Sequence, residues 1–172
     1  MSEEILKLSA LVRVALIVVD LQRSRDFYAN VLGVDHVYWE GTLKGLSVER
    51  LLGVASGSLC RVVVLAPDAT TMGMVGLFEV TNPRPDPAVR AQGTIQTGEA
   101  FLVFYASDLD LVTARALAGG YEVFCPAIPL EHEGLVKQRE MTLVDPDGVK
   151  INLIEWDPAL ANRPELTRPG KE

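Results

Sequence analysis

A weak internal repeat constrains the fold of this chain more than any other feature of its sequence. The apolar run 14–21 ends in Asp-Leu and is followed by apolar residues at helical spacing. The run 101–109 ends in the same way and is also followed by a helical pattern. Both predicted helices end at glycine, at Gly33 and Gly119, as helices commonly do. Two similar halves predict two similar folding modules.

Each half predicts the order strand, helix, strand, strand, strand. Strands are expected at about 11–19, 36–40, 59–65 and 73–80, then at about 100–106, 121–125, 137–144 and 149–156, with helices at about 22–32 and 109–118. The first half is longer, and its additional residues between Gly41 and Gly57 include a short extra helix at about 46–52. The predicted fold class is therefore α+β, with two tandem βαβββ modules whose curved mixed sheets surround a cleft.

Proline and glycine mark the predicted boundaries of the modules. The first module spans residues 1–82, a proline-rich linker 83–98, the second module 99–156, and a polar tail 157–172, and the two modules are expected to form one compact domain. A tight turn at 145–148 (Asp-Pro-Asp-Gly) should join the last two strands. Loops at 41–58 and 126–137 are expected to shape the cleft.

Charge and cysteine content exclude several classes of protein. The chain has 16 Lys and Arg against 23 Asp and Glu, a net charge of −7, which argues against nucleic acid and anionic membranes as partners. The longest apolar run, 14–19, is too short to cross a bilayer. Cys60 and Cys125 lie in apolar runs and are predicted to be buried, reduced thiols. A cytoplasmic location is the simplest expectation.

Two segments resemble a known superfamily. Residues 13–33 resemble the opening strand and helix of the vicinal-oxygen-chelate superfamily, which includes glyoxalases, bleomycin-resistance proteins and extradiol dioxygenases. Residues 145–155 resemble its closing hairpin, so the likeness spans roughly 11–156. The resemblance implies the two-module fold and a homodimer, but one fold supports many reactions.

Enzymes of that superfamily usually bind a divalent metal through a His or Gln on each opening strand and a Glu on each closing strand. The resemblance places these positions at Arg13, Phe101, Gly76 and Asn152, none of which is a good metal ligand. No cofactor is therefore predicted, and a displaced divalent-metal site is the alternative.

Other potential metal ligands in the chain have simpler interpretations. His36 begins a strand, and His132 lies between two glutamates on a predicted loop, where a solvated segment is favoured over a metal site. Glu79 and Glu155 each lie three residues beyond a ligand position, so they should face the opposite side of their sheets.

The predicted cleft combines aromatic side chains with one cation. Its candidate ligand-binding residues are Arg13, Phe78, Phe101, Tyr105, Asn152 and Trp156. Arg13 could bind a ligand carboxylate or phosphate, or form an internal ion pair. Tyr105 could donate a proton or line a wall, and Phe78 and Trp156 could stack on a ligand or belong to the core. No catalytic residue is identified, since N-capping explains Asp20 and Asp108.

Three hypotheses for function remain open. The favoured one is metal-independent binding of a small apolar or aromatic anion in the cleft. The second is an enzyme of the superfamily (a dioxygenase, lyase, isomerase or epimerase) with a non-standard metal site or none. The third is a regulatory or scaffolding subunit whose cleft is filled by its own side chains.

Overall fold

A computed structural model describes residues 8–88, 95–132 and 136–155 of the chain. These residues form two mixed sheets of four strands each, together with a few helices. The predicted α+β class with two tandem βαβββ modules is confirmed. None of the described helices is long and apolar enough to cross a membrane.

The first sheet contains the four strands of the first half. They are β1 (Arg13–Val18), β2 (His36–Leu43), β3 (Leu59–Ala66) and β4 (Met74–Thr81), in the order β1-β4-β3-β2. Strand β1 is parallel to β4, whereas the β4–β3 and β3–β2 pairs are antiparallel. The extra helix predicted between β2 and β3 is present as α2 (Leu46–Leu52).

The second sheet repeats this topology. Its strands are β5 (Phe101–Ala106), β6 (Val123–His132), β7 (Val136–Val144) and β8 (Lys150–Glu155), in the order β5-β8-β7-β6. Helix α3 (Leu109–Ala118) follows β5, and the Asp108 carboxylate caps it by accepting a hydrogen bond from the Leu111 amide at 2.8 Å. The capping role predicted for Asp108 is therefore confirmed.

Strand β6 is longer than the sequence predicts. The pattern predicted a strand only to residue 125 and a loop over 126–137, but β6 continues to His132. The prediction of a loop at His132 was therefore wrong. The longer strand contains two prolines, Pro126 and Pro129. Since β6 is an edge strand, it has a free side on which the missing proline N–H groups can be tolerated.

The chain divides into two compact units that differ from the sequential modules in one helix. The first unit includes β1–β4 and α2, and the second includes residues 22–33 with β5–β8 and α3. Helix α1 comprises Leu21–Asp26, and the chain continues directly into a π-helical stretch, Phe27–Val31. From Gln22 onward, this helix of the first half thus belongs to the second unit.

Helix α1 is anchored in the second unit by buried polar contacts to the turn between β7 and β8. The Tyr28 hydroxyl donates to Asp145 Oδ2 at 3.0 Å, and the Ser24 hydroxyl donates to Asp147 Oδ2 at 2.8 Å. Both Tyr28 and Ser24 are fully buried. The Asp-Pro-Asp-Gly turn is formed as predicted, with Gly148 at a positive φ of 84°. It therefore joins two strands and also holds α1.

Candidate functional site

The four metal-ligand positions that the resemblance implies occupy matching places on the two sheets. In the first sheet Ala15, two residues after Arg13, pairs with Gly76, and in the second Val103, two residues after Phe101, pairs with Asn152. Because side chains alternate along a strand, Arg13 and Gly76 face the same side of the first sheet. Phe101 and Asn152 likewise face the same side of the second sheet. The two units therefore arrange their implied ligand positions in the same way.

In the first unit, that side of the sheet is largely covered by α2. A buried cluster on β3 and β4 packs against partly buried apolar residues of α2 and its flanks, namely Leu43, Val48, Leu52 and Val54. Phe78 belongs to this cluster and is only 5% exposed. The structure thus places Phe78, a predicted ligand-binding residue, in the core of its unit. The additional residues of the first half supply this cover.

Packing also explains the glycine at the ligand position of β4. A Cβ atom on Gly76 would lie 2.8 Å from the Phe78 ring, which is closer than real Cβ contacts. The ring therefore occupies the space that a side chain at residue 76 would need. A carboxylate could stand there only if the Phe78 ring moved away.

Arg13 lies on edge strand β1, outside the cover formed by α2. It is exposed, as are Ala15 and Ile17 on the same side of the strand. Within the described ranges, no carboxylate forms an ion pair with Arg13. The described residues therefore leave its guanidinium accessible to an external anion.

In the second unit, the corresponding side of the sheet is open. We call it the ligand face, and on β5 it carries Phe101, Val103 and Tyr105, which are 39%, 57% and 41% exposed. Large apolar residues in such positions are normally buried. On the other strands, the register places these residues on the same face: Lys150, Asn152 and Ile154 of β8, Glu140 and Thr142 of β7, and Ile128 of β6.

At the centre of the ligand face, amide groups hold a carboxylate. Asn152 Nδ2 donates to Glu140 Oε2 at 3.2 Å and to the Met141 carbonyl oxygen at 3.3 Å. Gln138 Nε2 donates to the other carboxylate oxygen, Oε1 of Glu140. The residue at the ligand position of β8 thus orients a carboxylate that stands one strand away.

One end of the ligand face holds a buried lysine that forms an ion pair with a glutamate. Lys150 Nζ lies 3.0 Å from Glu99 Oε1, and the Lys150 side chain is only 8% exposed. The ammonium also lies 5.5 Å from the centroid of the Phe101 ring and 5.2 Å from that of Phe124. A buried charge of this kind needs a partner, and Glu99 together with the two rings provides one. Phe101 is therefore positioned by Lys150.

The glutamates near the ends of β4 and β8 form ion pairs with arginines, as their predicted structural role requires. Glu79 Oε2 accepts from Arg61 at 3.0 Å, and Glu155 Oε2 accepts from Arg139 at 2.6 Å. Glu155 also accepts from the Leu109 amide at the start of α3. The hydrogen bonds from Arg139 lower the pKa of Glu155.

The described residues do not fit a divalent metal. Within residues 8–88, 95–132 and 136–155, no group of three or more His, Cys, Asp or Glu side chains could hold an ion. His36 is exposed on β2, and the side chain of His132 lies outside the described residues, as does the whole of Trp156.

The prediction of a buried thiol is confirmed for Cys60 and was wrong for Cys125. Cys60 is fully buried, and burial raises the pKa of its thiol. Cys125 is partly exposed. Neither thiol is in a disulfide.

Glu140 and Lys150 of the ligand face were not predicted from the sequence. A short signal for Glu140 was present, because Glu140 and Thr142 alternate with Met141 and Leu143 and so mark a polar side of β7. No comparable pattern marked Lys150, since its aromatic and acidic partners come from other segments of the chain.

Comparison with known proteins agrees with this architecture. The sequence model of the Glyoxalase/Bleomycin resistance protein/Dioxygenase superfamily matches residues 10–153. The chain belongs to this superfamily. The resemblance found in the sequence is thereby confirmed. A search of curated protein sequences gave no match.

Solved structures of this superfamily share the fold at low sequence identity. A glyoxalase family protein from Bacillus cereus is 18% identical, with a TM-score of 0.68 over 90% of this chain and 97% of the other. The trypanothione-dependent glyoxalase I of Leishmania major is 17% identical, with a TM-score of 0.53 over 86% of each chain. A superfamily member from Sphaerobacter thermophilus is 18% identical, with a TM-score of 0.51 over 87% of this chain and 98% of the other. These likenesses concern the fold.

Proposed function

We propose that this superfamily member binds a small apolar or aromatic anion without a metal ion. The observation that carries the proposal is the character of the ligand positions. They hold a guanidinium, a glycine, a phenyl ring and a neutral amide, and on the second sheet they belong to an open, largely apolar face. An apolar surface with a few convergent polar groups is typical of small-molecule sites.

The ligand face of the second unit, described by itself, is suited to an aromatic group. Phe101 and Tyr105 present rings that are 39% and 41% exposed, two residues before and two residues after the exposed Val103. Ring-to-ring contacts favour an aromatic ligand beyond the area they bury. Lys150 holds the Phe101 ring from one side, which reduces the conformational freedom lost on binding.

The preference for an anion rests on Arg13. A guanidinium presents paired N–H donors that match a carboxylate or phosphate. Arg13 is exposed on β1 and has no ion pair among the described residues, which supports an external partner. The Glu140 carboxylate lies on the ligand face, and like charges repel, so an acidic group of a ligand is expected to lie away from Glu140.

Calorimetric titration of the purified chain with aromatic carboxylates tests this proposal. Binding should be the same in EDTA and in buffer supplemented with Mn²⁺ or Zn²⁺. Arg13→Gln should weaken binding about tenfold, because a charge-assisted hydrogen bond contributes roughly 1.5–3 kcal/mol. The control is Arg50→Gln, an exposed arginine on α2, which should bind like the wild type.

Two results would contradict the proposal. One is binding that disappears in EDTA, or a stoichiometric metal ion found by elemental analysis of protein purified without chelator. The other is Arg13→Gln with unchanged affinity, which would remove the argument for an anion.

Two further expectations accompany this function. We propose that the protein acts in the cytoplasm, on the ground of its two cysteines without a disulfide, and as a homodimer, as the resemblance to the superfamily implies. Light scattering coupled to size-exclusion chromatography tests the oligomeric state, and a monomer at micromolar concentration would contradict it.

A further inference from the structure

We infer that Glu140 is a specificity-determining residue that selects aromatic ligands bearing a hydroxyl hydrogen-bond donor. This inference rests on the proposed function, since it concerns a ligand bound on the ligand face. The hydroxyl donor is a feature of the ligand that the four metal-ligand positions do not indicate.

The position of the Glu140 carboxylate on the ligand face supports this inference. Register places Tyr105, Ile154 and Glu140 in one row across β5, β8 and β7, all on the same side of the sheet. Adjacent strands lie about 4.8 Å apart, so Glu140 is roughly 10 Å from the β5 backbone. An aromatic ring resting on β5 and β8 would therefore present its far edge to the carboxylate.

The second argument is that the carboxylate is held in place before any ligand arrives. Gln138 donates to Oε1 of Glu140, and Asn152 donates to Oε2 at 3.2 Å. Each oxygen of a carboxylate can accept two hydrogen bonds, so each retains capacity for a further donor. Since two amides already fix its orientation, binding a donor costs little side-chain entropy.

The third argument is the chemistry of the surroundings. The residues directly opposite Glu140 on the two adjacent strands are apolar, with Ile154 on one side and Ile128 on the other. A carboxylate among apolar groups gains from a ligand donor and disfavours a ligand that covers it with an apolar group. It also repels an acidic group, so the hydroxyl and the acid of one ligand should lie at opposite ends of its ring.

Matched ligand pairs test this inference on the full chain. 4-Hydroxybenzoate and 4-methoxybenzoate have the same ring and acid, but only the first can donate to Glu140. The wild type should bind the hydroxyl compound about tenfold more tightly, as expected for a hydrogen bond to a charged group. A second pair built on 2-naphthoate, with hydroxyl or methoxy at position 6, repeats the comparison on a larger ring.

Two variants separate specificity from general effects. Glu140→Gln keeps the shape and removes the charge, so the hydroxyl preference should fall to about twofold, because neutral hydrogen bonds are weaker. Glu122→Gln, at an exposed glutamate of the same unit, should keep the full preference. Both variants retain the side-chain size, so folding should not be affected.

The outcomes distinguish the two proposals. Equal wild-type affinity for hydroxyl and methoxy compounds would refute the role of Glu140 while leaving anion binding intact. A full hydroxyl preference in Glu140→Gln would refute it as well. If no member of either pair binds the wild type, the proposed function fails for aromatic acids and this inference fails with it.

Discussion

Replacing Tyr28 with phenylalanine removes one hydroxyl from the contact that holds α1 against the turn between β7 and β8. That hydroxyl donates to Asp145 Oδ2 at 3.0 Å, and both residues are buried, at 0% and 4% exposure. The other described donors to Asp145 are the amides of Val149 and Asp147, and they reach Oδ1. Tyr28→Phe therefore leaves a buried carboxylate oxygen without its donor.

The expected cost follows from the charge of the acceptor. A hydrogen bond to a charged group contributes roughly 1.5–3 kcal/mol, and leaving its partner unsatisfied in the interior adds a desolvation penalty. We expect Tyr28→Phe to lower the free energy of unfolding by about 2 kcal/mol. For a chain of this size, that corresponds to a fall in Tm of roughly 4–8 °C.

Urea denaturation followed by circular dichroism measures this effect. Tyr38→Phe is the matched control, because Tyr38 is 50% exposed and the same substitution should change stability little. A Tyr28→Phe variant within about 0.5 kcal/mol of the wild type would refute the reasoning, since changes of that size are typical of surface positions.

The pH dependence gives a second check on the same contact. Burial raises the pKa of Asp145, whereas the hydrogen bond from Tyr28 lowers it. The bond to the charged carboxylate therefore contributes above the pKa of the folded state and weakens as pH falls and Asp145 is protonated. The difference in stability between wild type and Tyr28→Phe should shrink towards acid pH, and a difference that grows would contradict this assignment.

Two other predictions concern the ion pair of β8 and the cover of the first sheet. The hydrogen bonds from Arg139 lower the pKa of Glu155 in the folded state. The ion pair therefore contributes to stability above the pKa that Glu155 has in the unfolded chain, and this contribution is lost as pH falls through the lower folded-state pKa of Glu155. Arg139→Gln should reduce this acid-side loss in urea titrations at stepped pH, and an unchanged slope would argue against the pair. Leu52→Ala should destabilise the chain by about 1–3 kcal/mol, because Leu52 packs on the buried cluster under α2. The neighbouring Leu51→Ala, at a residue 84% exposed, should be near neutral, and equal effects of the two would contradict the packing of α2.

Several structural elements could be predicted from local sequence patterns. The extra helix Leu46–Leu52, the helix Leu109–Ala118 and the turn at 145–148 have clear periodicity, capping or turn chemistry. Strand β6 could not be predicted in full, because its prolines are acceptable only at a sheet edge. Whether a strand lies at an edge depends on pairing with distant residues, which a local pattern does not contain.

The sequence by itself determined the repeat and the α+β class, since these depend on residue type and spacing along the chain. The resemblance to the superfamily implied the ligand positions Arg13, Gly76, Phe101 and Asn152, and the residue types there showed that good metal ligands are missing. Only the tertiary structure decided that the sheet faces carrying these positions differ in burial between the two units. Phe78 is covered by α2 in one unit, while Phe101 remains exposed in the other. It also decided that Asn152 orients Glu140. Burial and hydrogen bonding depend on segments brought together across the fold, so identical positions in a repeat can acquire different roles.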